Sequence, residues 1–291
     1  MYEVIASNRR RTVVLFVVFV GLLLALGFVF SRVFEAPWLL WAAVILSLVS
    51  AWGGYFYSDR LVLSVTGARP IRKSEFPELV RIVENLSITS GLSCPSIYVI
   101  HDPSPNAFAT GRDPKHAAVA VTTGLLKILD KSELEGVIAH ELSHIKNYDI
   151  LIATLAVTLA GAVVLASDFF LRTSFFRSSR SNRGGGSILV VLGLLLAILA
   201  PIFATLLQLA VSRKREFLAD ADAAFLTRYP EGLIEALEKL SKSPYPLQRV
   251  SRATAHLFIV DPLKKWGEGW STLWSTHPPL AARIAALKKF Q

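Results

Sequence analysis

His140-Glu141-Leu142-Ser143-His144 reads H-E-x-x-H, and the interpretation of the remaining chain follows from this stretch. It lies within Lys131–Asp149, a segment predicted to be helical because its apolar residues recur at helical spacing. Residues four apart share one face of a helix, so His140 and His144 can present two imidazole nitrogens to one metal ion. Glu141 is directed beside that ion. The alternative is a surface helix that carries two histidines without a ligand.

A metal ion at this helix would give the glutamate a chemical role. The ion would acidify a bound water, and Glu141 could take the proton, as in zinc peptidases. Zinc hydrolases use three protein ligands and keep one position open. Glu216 is the natural third ligand, and Asp220, one helical turn later, could accept a hydrogen bond from a ligand histidine. A solvated, charged helix start is the alternative interpretation of both acids.

The composition points to a membrane and away from nucleic acid. The chain is 53% hydrophobic with a mean hydropathy of +0.47, which is high for a soluble enzyme. Its net charge is +9, but much of this charge adjoins apolar segments, as in Arg9-Arg10-Arg11, where basic side chains usually face lipid headgroups. The single cysteine, Cys94, excludes an internal disulfide and fits a reducing compartment.

Four apolar runs approach the roughly 20 residues that cross a bilayer as a helix. They are Thr12–Phe30, Trp38–Phe56, Ile150–Leu171 and Ile188–Val211. A cleaved signal peptide is the alternative for the first run, but a second run follows at once, which favours an uncleaved hairpin. The arginines before the first run place the amino terminus in the cytoplasm. The arginines within 172–187 oppose a full crossing by the second pair, and its topology stays open.

These patterns predict a mainly α membrane protein with four apolar helices in two hairpins. A zincin-like α+β metalloprotease domain with a small sheet would complete it. The predicted divisions are a transmembrane hairpin (1–57), the first half of the domain with the H-E-x-x-H helix (58–149), a second apolar hairpin (150–211) and the second half of the domain with the third ligand (212–291).

Within the polar blocks, helices are predicted at Glu75–Ser90, Glu231–Ser243 and Leu280–Phe290. Strands are predicted at Ile97–Ile100 and Ala117–Thr122, with a turn at 106–111. The strand Ala117–Thr122 could be the sheet edge that pairs with an extended peptide, or it could be a core strand.

Two residues near the carboxyl end have equally open interpretations. His277 precedes two prolines and could approach the metal site and donate a hydrogen bond to a developing oxyanion. A structural role at the entry to a helix suits it as well. Arg283 has the same two interpretations.

With these residues assembled, the chain resembles the HtpX family of membrane zinc metalloproteases, relatives of the endopeptidase that trims prenylated CAAX proteins. The resemblance runs nearly end to end. It is carried by both hairpins and by Pro105–Gly111, His140–Asp149, Arg213–Asp222 and His277–Arg283. It implies that His140, His144 and Glu216 hold one zinc ion and that Glu141 is the catalytic glutamate. It also implies that Asp220 is a supporting acid and that Asn106 lies near the substrate groove.

The resemblance further implies a multi-pass inner-membrane enzyme with its active site facing the cytoplasm. Its expected activity is gluzincin-type endoproteolysis of misfolded or damaged membrane proteins, as a part of protein quality control. The expected partners are polypeptide substrates and the lipid bilayer, and no motif encodes an oligomeric state. Two alternatives stay open: a narrow processing peptidase for lipidated peptides, and a non-proteolytic membrane chaperone that zinc braces.

Overall fold

The computed structural model describes residues 2–33, 36–156, 213–243, 254–260 and 278–290. The chain opens with two long helices, α1 (Tyr2–Val33) and α2 (Trp38–Thr66), which pack against each other. The two apolar runs predicted for the first hairpin lie inside them. Helix α2 extends past Phe56 to Thr66, so the predicted division at 57/58 falls within a continuous helix.

The apolar surface of this helical pair suits a membrane. Among the described residues, α2 is the helix long and apolar enough to cross a bilayer. Most large apolar side chains that are exposed in the described part of the chain lie on α1 and α2, for example Val17 and Trp41. Except for residues 150–156, the predicted second hairpin (150–211) lies outside the described residues.

A four-stranded sheet forms the next layer. Its strands are β1 (Ala68–Pro70), β2 (Ser96–Ile100), β3 (Ala107–Gly111) and β4 (Ala117–Thr122), in the order β1-β2-β4-β3. Strands β2 and β4 are parallel, and the two other pairs are antiparallel. The predicted strands at 97–100 and 117–122 correspond to β2 and β4.

One prediction about the sheet was wrong, and one open question about it is answered. Residues 107–111, predicted as part of a turn, form β3, and all five are buried. Their alanine, threonine and glycine carry little strand signal, and only pairing with β4 gives them extended structure. The strand predicted at Ala117–Thr122 had two interpretations, and β4 is the core strand and not the sheet edge, because it lies between β2 and β3. Both its backbone edges are engaged, so β3 is the outer strand on this side.

Helices of the domain surround the sheet. They are α3 (Pro77–Ser90), α4 (Thr123–Ile128), α5 (Lys131–Lys146), α6 (149–156), α7 (Arg213–Thr227), α8 (Pro230–Ser241) and α9 (Leu280–Leu287). A short 3₁₀ turn over Lys288–Phe290 completes the predicted terminal helix.

Helix α5 carries the H-E-x-x-H stretch and runs through the centre of the domain. A capping box begins it: the Asp130 carboxylate accepts from Glu133 N, and the Glu133 carboxylate accepts from Asp130 N. Val137, Ile138 and Leu142 are completely buried, and α5 packs against α3, β3, α7 and α8. The two candidate histidines are therefore mounted on a helix that other elements of the domain enclose.

The predicted single helix Lys131–Asp149 is interrupted. It ends at Lys146, Asn147 and Tyr148 form a turn, and helical structure resumes at residue 149. Tyr148 has a φ of 60°, a left-handed conformation that breaks a helix. This reversal returns the Asp149 side chain toward the histidines of α5, as described below.

Gly136 sets the distance between α5 and α8. A Cβ atom built at Gly136 would lie 2.7 Å from Leu233 N and 2.9 Å from Leu233 Cα. A side chain here would collide with backbone, which cannot rotate away. The two helices approach this closely because residue 136 has no side chain.

We expect Gly136→Ala to lower the thermal midpoint of unfolding, because the methyl group would force α8 away from α5 at a cost of about 1–3 kcal/mol. Thermal unfolding of the detergent-solubilised protein measures this effect. Gly53→Ala is the matched control, since a Cβ there meets nothing within 4 Å. Equal midpoints for Gly136→Ala and the control would contradict the packing argument.

Candidate metal centre

Three side chains from two helices converge at the centre of the domain. His140 and His144 come from α5, and their Nε2 atoms lie 3.2 Å apart. Glu216 comes from α7, with Oε2 3.8 Å from His140 Nε2 and Oε1 3.5 Å from His144 Nε2. One ligand atom from each residue lies within 4.8 Å of the others. The structure thus brings together the three ligands predicted from the sequence.

The donor set fits a zinc ion. Two imidazole nitrogens and one carboxylate oxygen are a combination that zinc hydrolases use. Ligand atoms around a tetrahedral ion with bonds of about 2.0–2.1 Å lie about 3.3–3.4 Å from one another. The three observed separations are close to this value. The His140 and Glu216 side chains are 1% and 2% exposed and that of His144 is 14% exposed, so a ligand would reach the centre from the His144 side.

Asp220 and Arg283 hold the first histidine. Asp220 Oδ1 lies 2.9 Å from His140 Nδ1, the contact that the sequence predicted for Asp220. Arg283 donates two hydrogen bonds to the same carboxylate, from Nε at 2.8 Å and from Nη2 at 2.7 Å. Burial alone would raise the pKa of Asp220, but the Arg283 guanidinium outweighs it and lowers that pKa. Asp220 is therefore a charged acceptor that orients Nε2 of His140 toward the other ligands.

Of the two interpretations of Arg283, its position favours the structural one. It is fully buried, and it does not belong to the residues that line the cleft at the metal centre. Besides Asp220, it donates to Ile259 O at 3.0 Å and lies 3.5 Å from Glu216 Oε2. The position supports orientation of Asp220 and Glu216 instead of contact with an oxyanion. The other candidate for that contact, His277, lies outside the described residues.

Asp149 supports the second histidine, and the sequence analysis did not identify it as a site residue. Its Oδ2 lies 3.1 Å from His144 Nδ1, and Arg215, adjacent to Glu216, pairs with its Oδ1. A continuous helix would have directed Asp149 to another face, but the turn at Tyr148 brings it back. An acid shortly after the second histidine was the available sequence signal. Each of the two histidines therefore has a carboxylate partner at Nδ1.

The two histidines differ electrostatically. Burial, reinforced by the nearby Arg283 guanidinium, lowers the pKa of His140 to about 4 despite the opposing effect of Asp220. Burial also opposes the charged form of His144, but the hydrogen bond with Asp149 and the charge of Glu216 outweigh it and raise the pKa to about 9. In the metal-free protein, these surroundings favour the neutral form of His140 and the protonated form of His144.

A cleft opens at the metal centre. Glu141 lies within it and is 2% exposed. The remaining walls are mainly apolar and come from β3, α6 and residues 254–260. The lining residues other than the three candidate ligands are Ala109, Glu141, Asp149, Ile150, Ala153, Leu257 and Ile259. The contribution of Leu257 and Ile259 could not be predicted, because no recognisable sequence pattern marks their segment.

Asn106 fastens this segment to the sheet. Its Nδ2 donates to Val260 O at 2.9 Å, and its Oδ1 accepts from Val260 N at 3.3 Å. Ile259 N donates to Ala107 O on β3 at 3.0 Å. Asn106 is 2% exposed, so it positions one wall of the cleft without being part of the lining. This arrangement accounts for its proximity to the predicted groove.

Comparison with known proteins places the chain in a family. The model of peptidase family M48 matches residues 73–291. The protease HtpX homolog of Dictyoglomus thermophilum is 48% identical over 288 residues, covering 99% of this chain and 94% of that protein. The protease HtpX homolog of Tropheryma whipplei strain Twist is 47% identical over 289 residues, covering 99% and 98%.

A solved structure has the same fold. The crystal structure of S. mikatae Ste24p covers 99% of this chain and 67% of its own chain, with a TM-score of 0.51 and 20% sequence identity. At this identity the likeness concerns the fold alone. The family match over most of the chain and the near-complete alignment with HtpX homologs show that the chain is a metallopeptidase that belongs to peptidase family M48.

Proposed function

We propose that this protein is a membrane-embedded, zinc-dependent endopeptidase of the gluzincin type. The observation that carries the proposal is the convergence of His140, His144 and Glu216 in a cleft that also contains Glu141. One zinc ion per chain would be held by the two imidazoles and the Glu216 carboxylate. When bound, zinc would supply a Lewis acid that lowers the pKa of water and polarises a carbonyl group.

Glu141 would carry the proton transfers. It lies one residue after His140, in the same cleft, so its carboxylate is beside the position of the attacking water. It takes a proton from that water as the scissile carbonyl is attacked, and it then delivers a proton to the departing amine. Water is the nucleophile, so no side chain of the enzyme becomes acylated.

Asp220 and Asp149 would keep both ligand histidines correctly oriented. Each lies within about hydrogen-bonding distance of Nδ1, at 2.9 Å for His140 and 3.1 Å for His144. Because Nδ1 of each ring is hydrogen-bonded to a carboxylate, Nε2 is the nitrogen directed to the metal. Arg283 and Arg215 balance the charge of these two carboxylates. The pair of matched supports argues against a surface helix with spare histidines.

The substrate backbone would pair with the outer edge of β3. Ala107 directs its carbonyl to that edge, where Ile259 N is bound. Alternate residues of a strand present their backbone groups to the same edge, so Ala109 presents its N–H and C=O there too. Ala109 also lines the cleft beside the candidate ligands. Pairing by main-chain hydrogen bonds would tolerate many substrate sequences.

The two long amino-terminal helices would place this site at a membrane. The apolar exposed surfaces of α1 and α2 favour lipid contact, and α2 has the length and composition of a span. We propose multi-pass insertion in the inner membrane, with the active site facing the cytoplasm and misfolded or damaged membrane proteins as substrates. The polar ranges 58–149 and 212–291 would be two halves of one catalytic domain, because α5 and α7 share the centre.

Glu141→Gln should abolish cleavage of an unfolded protein such as casein, while one zinc ion per chain stays bound. The amide keeps the size of the side chain but cannot take a proton. Zinc content and hydrolysis are measured on the same detergent-solubilised sample. Glu135→Gln is the control, because Glu135 lies on the same helix and pairs with Lys131 at 3.8 Å. It should retain both properties.

Glu216→Ala should lose zinc and activity together. Substantial activity in Glu141→Gln would remove Glu141 as the proton carrier. Zinc and activity retained in Glu216→Ala would show that another acid is the third ligand. A wild-type protein that holds zinc but cleaves neither casein nor a lipidated peptide would favour the chaperone alternative.

Ala109→Pro should reduce kcat/KM for peptide hydrolysis mainly through a higher KM. Proline removes the backbone N–H at the proposed pairing edge, and one lost hydrogen bond of about 1 kcal/mol corresponds to about a fivefold effect. Ala109→Gly keeps the N–H and serves as the matched control. If the two variants have the same KM, the substrate does not pair through Ala109.

Zinc should bind more tightly as pH rises from about 6 to about 8, with a Kd about tenfold lower per pH unit. Despite the effect of burial, Asp149 and Glu216 raise the pKa of metal-free His144 to about 9, so zinc must displace a proton throughout this range. Competition against a chelator of known affinity, repeated at each pH, measures the dependence. A Kd that does not change with pH would exclude a proton-bearing ligand.

A further inference from the structure

Helix α1 packs against α6, the helix that follows the H-E-x-x-H helix, as well as against its partner helix α2. Leu15, Phe19 and Leu23 of α1 form a buried cluster with Leu151 and Leu155 of α6. Helix α6 begins at Asp149, the carboxylate that faces His144. The amino-terminal helix is therefore packed on the element that directly follows the H-E-x-x-H helix.

Asn8 adds hydrogen bonds to the apolar contact between α1 and the region after the H-E-x-x-H helix. It lies near the amino end of α1 and is 1% exposed. Its Nδ2 donates to Asn147 O at 2.8 Å and to Asp149 Oδ1 at 2.8 Å. A side-chain amide has two N–H donors, and both are directed to the turn between α5 and α6. Asn8 thus bridges the turn from a position more than a hundred residues away in the chain.

The turn requires such support. Tyr148, at its centre, has a φ of 60°, which is unfavourable for a residue other than glycine. Asp149 must be held in one rotamer for its Oδ2 to face His144 Nδ1. Asn8 and Arg215 both bind Oδ1, and this pair of contacts fixes the plane of the carboxylate. Arg215 supplies the charge, and Asn8 ties the carboxylate to the turn carbonyl at Asn147.

We propose that Asn8 is a positioning residue of the metal centre, acting through Asp149 to orient His144. Helix α1 then has a second role besides membrane contact, since it completes the support of one zinc ligand. The inference rests on the proposed zinc site. It predicts that a substitution in the amino-terminal helix changes zinc affinity, a property that a simple anchor would not influence.

The test is a double-mutant cycle on zinc affinity in the full-length protein, measured by chelator competition in detergent. Asn8→Ala should weaken zinc binding about tenfold, within the range for partners that orient a ligand histidine. Asp149→Asn should weaken it at least as much. In the Asp149→Asn background, Asn8→Ala should cause less than about a twofold further change, because its target is already altered.

Thr12→Ala is the matched control. Thr12 is also buried on α1, one turn after Asn8, and its hydroxyl donates to Asn8 O within the helix. It should leave the zinc Kd unchanged. If Asn8→Ala does not fold, Asn8→Leu is the variant to test, because it keeps approximately the side-chain volume and removes the two N–H donors. It should also bind zinc about tenfold more weakly.

The outcomes separate this inference from the proposed function. If the wild type binds no zinc at its metal centre, the proposed function fails and this inference fails with it. If the wild type binds zinc and the Asn8 variants bind it equally well, the inference alone is overturned. Additive losses from Asn8→Ala and Asp149→Asn would also overturn it, since Asn8 would then act by another route.

Discussion

The structure depends on the burial of acidic groups around two histidines. A charge removed from water is costly unless it is paired and hydrogen-bonded, and an uncompensated one destabilises the fold by several kcal/mol. Arg283 compensates Asp220, Arg215 compensates Asp149, and a metal ion is the natural partner of the remaining donor atoms. The acidic residues in this enclosed centre are Glu141, Asp149, Glu216 and Asp220.

The compensation comes from distant parts of the chain, and this determines the architecture. Arg283 lies on α9, Arg215 on α7 and Asn8 on α1, while the histidines lie on α5. Each of these helices must dock against the centre before its polar group is satisfied. The buried charges therefore favour one arrangement of helices, and apolar packing, with the close approach at Gly136, provides most of the stabilisation.

The cleft has one wall that carries the polar groups and another that is mainly apolar. Its chemical wall consists of α5 and α7, and its apolar wall includes Leu257 and Ile259 from the described segment 254–260, whose only regular structure is a 3₁₀ turn at Ala255–Leu257. Asn106 and the β3 backbone hold that segment by hydrogen bonds. Asn106, which is not among the residues that line the cleft, thus helps to position one of its walls. Arg283 also holds this segment in place, because it donates a hydrogen bond to Ile259 O.

The sequence by itself determined which residues are the candidate ligands, because spacing on a helix is a local property. His140, His144, Glu216 and the contact of Asp220 could be predicted from four-residue intervals and from the ligand set that zinc uses. The strand at 107–111, the edge position of β3 and the inward return of Asp149 could not. They depend on pairing partners and on the backbone reversal at Tyr148, and neither leaves a periodic signal. Only the tertiary structure decided that Arg283 supports the centre from within and that Asn8 reaches it, because these contacts join residues far apart in the chain.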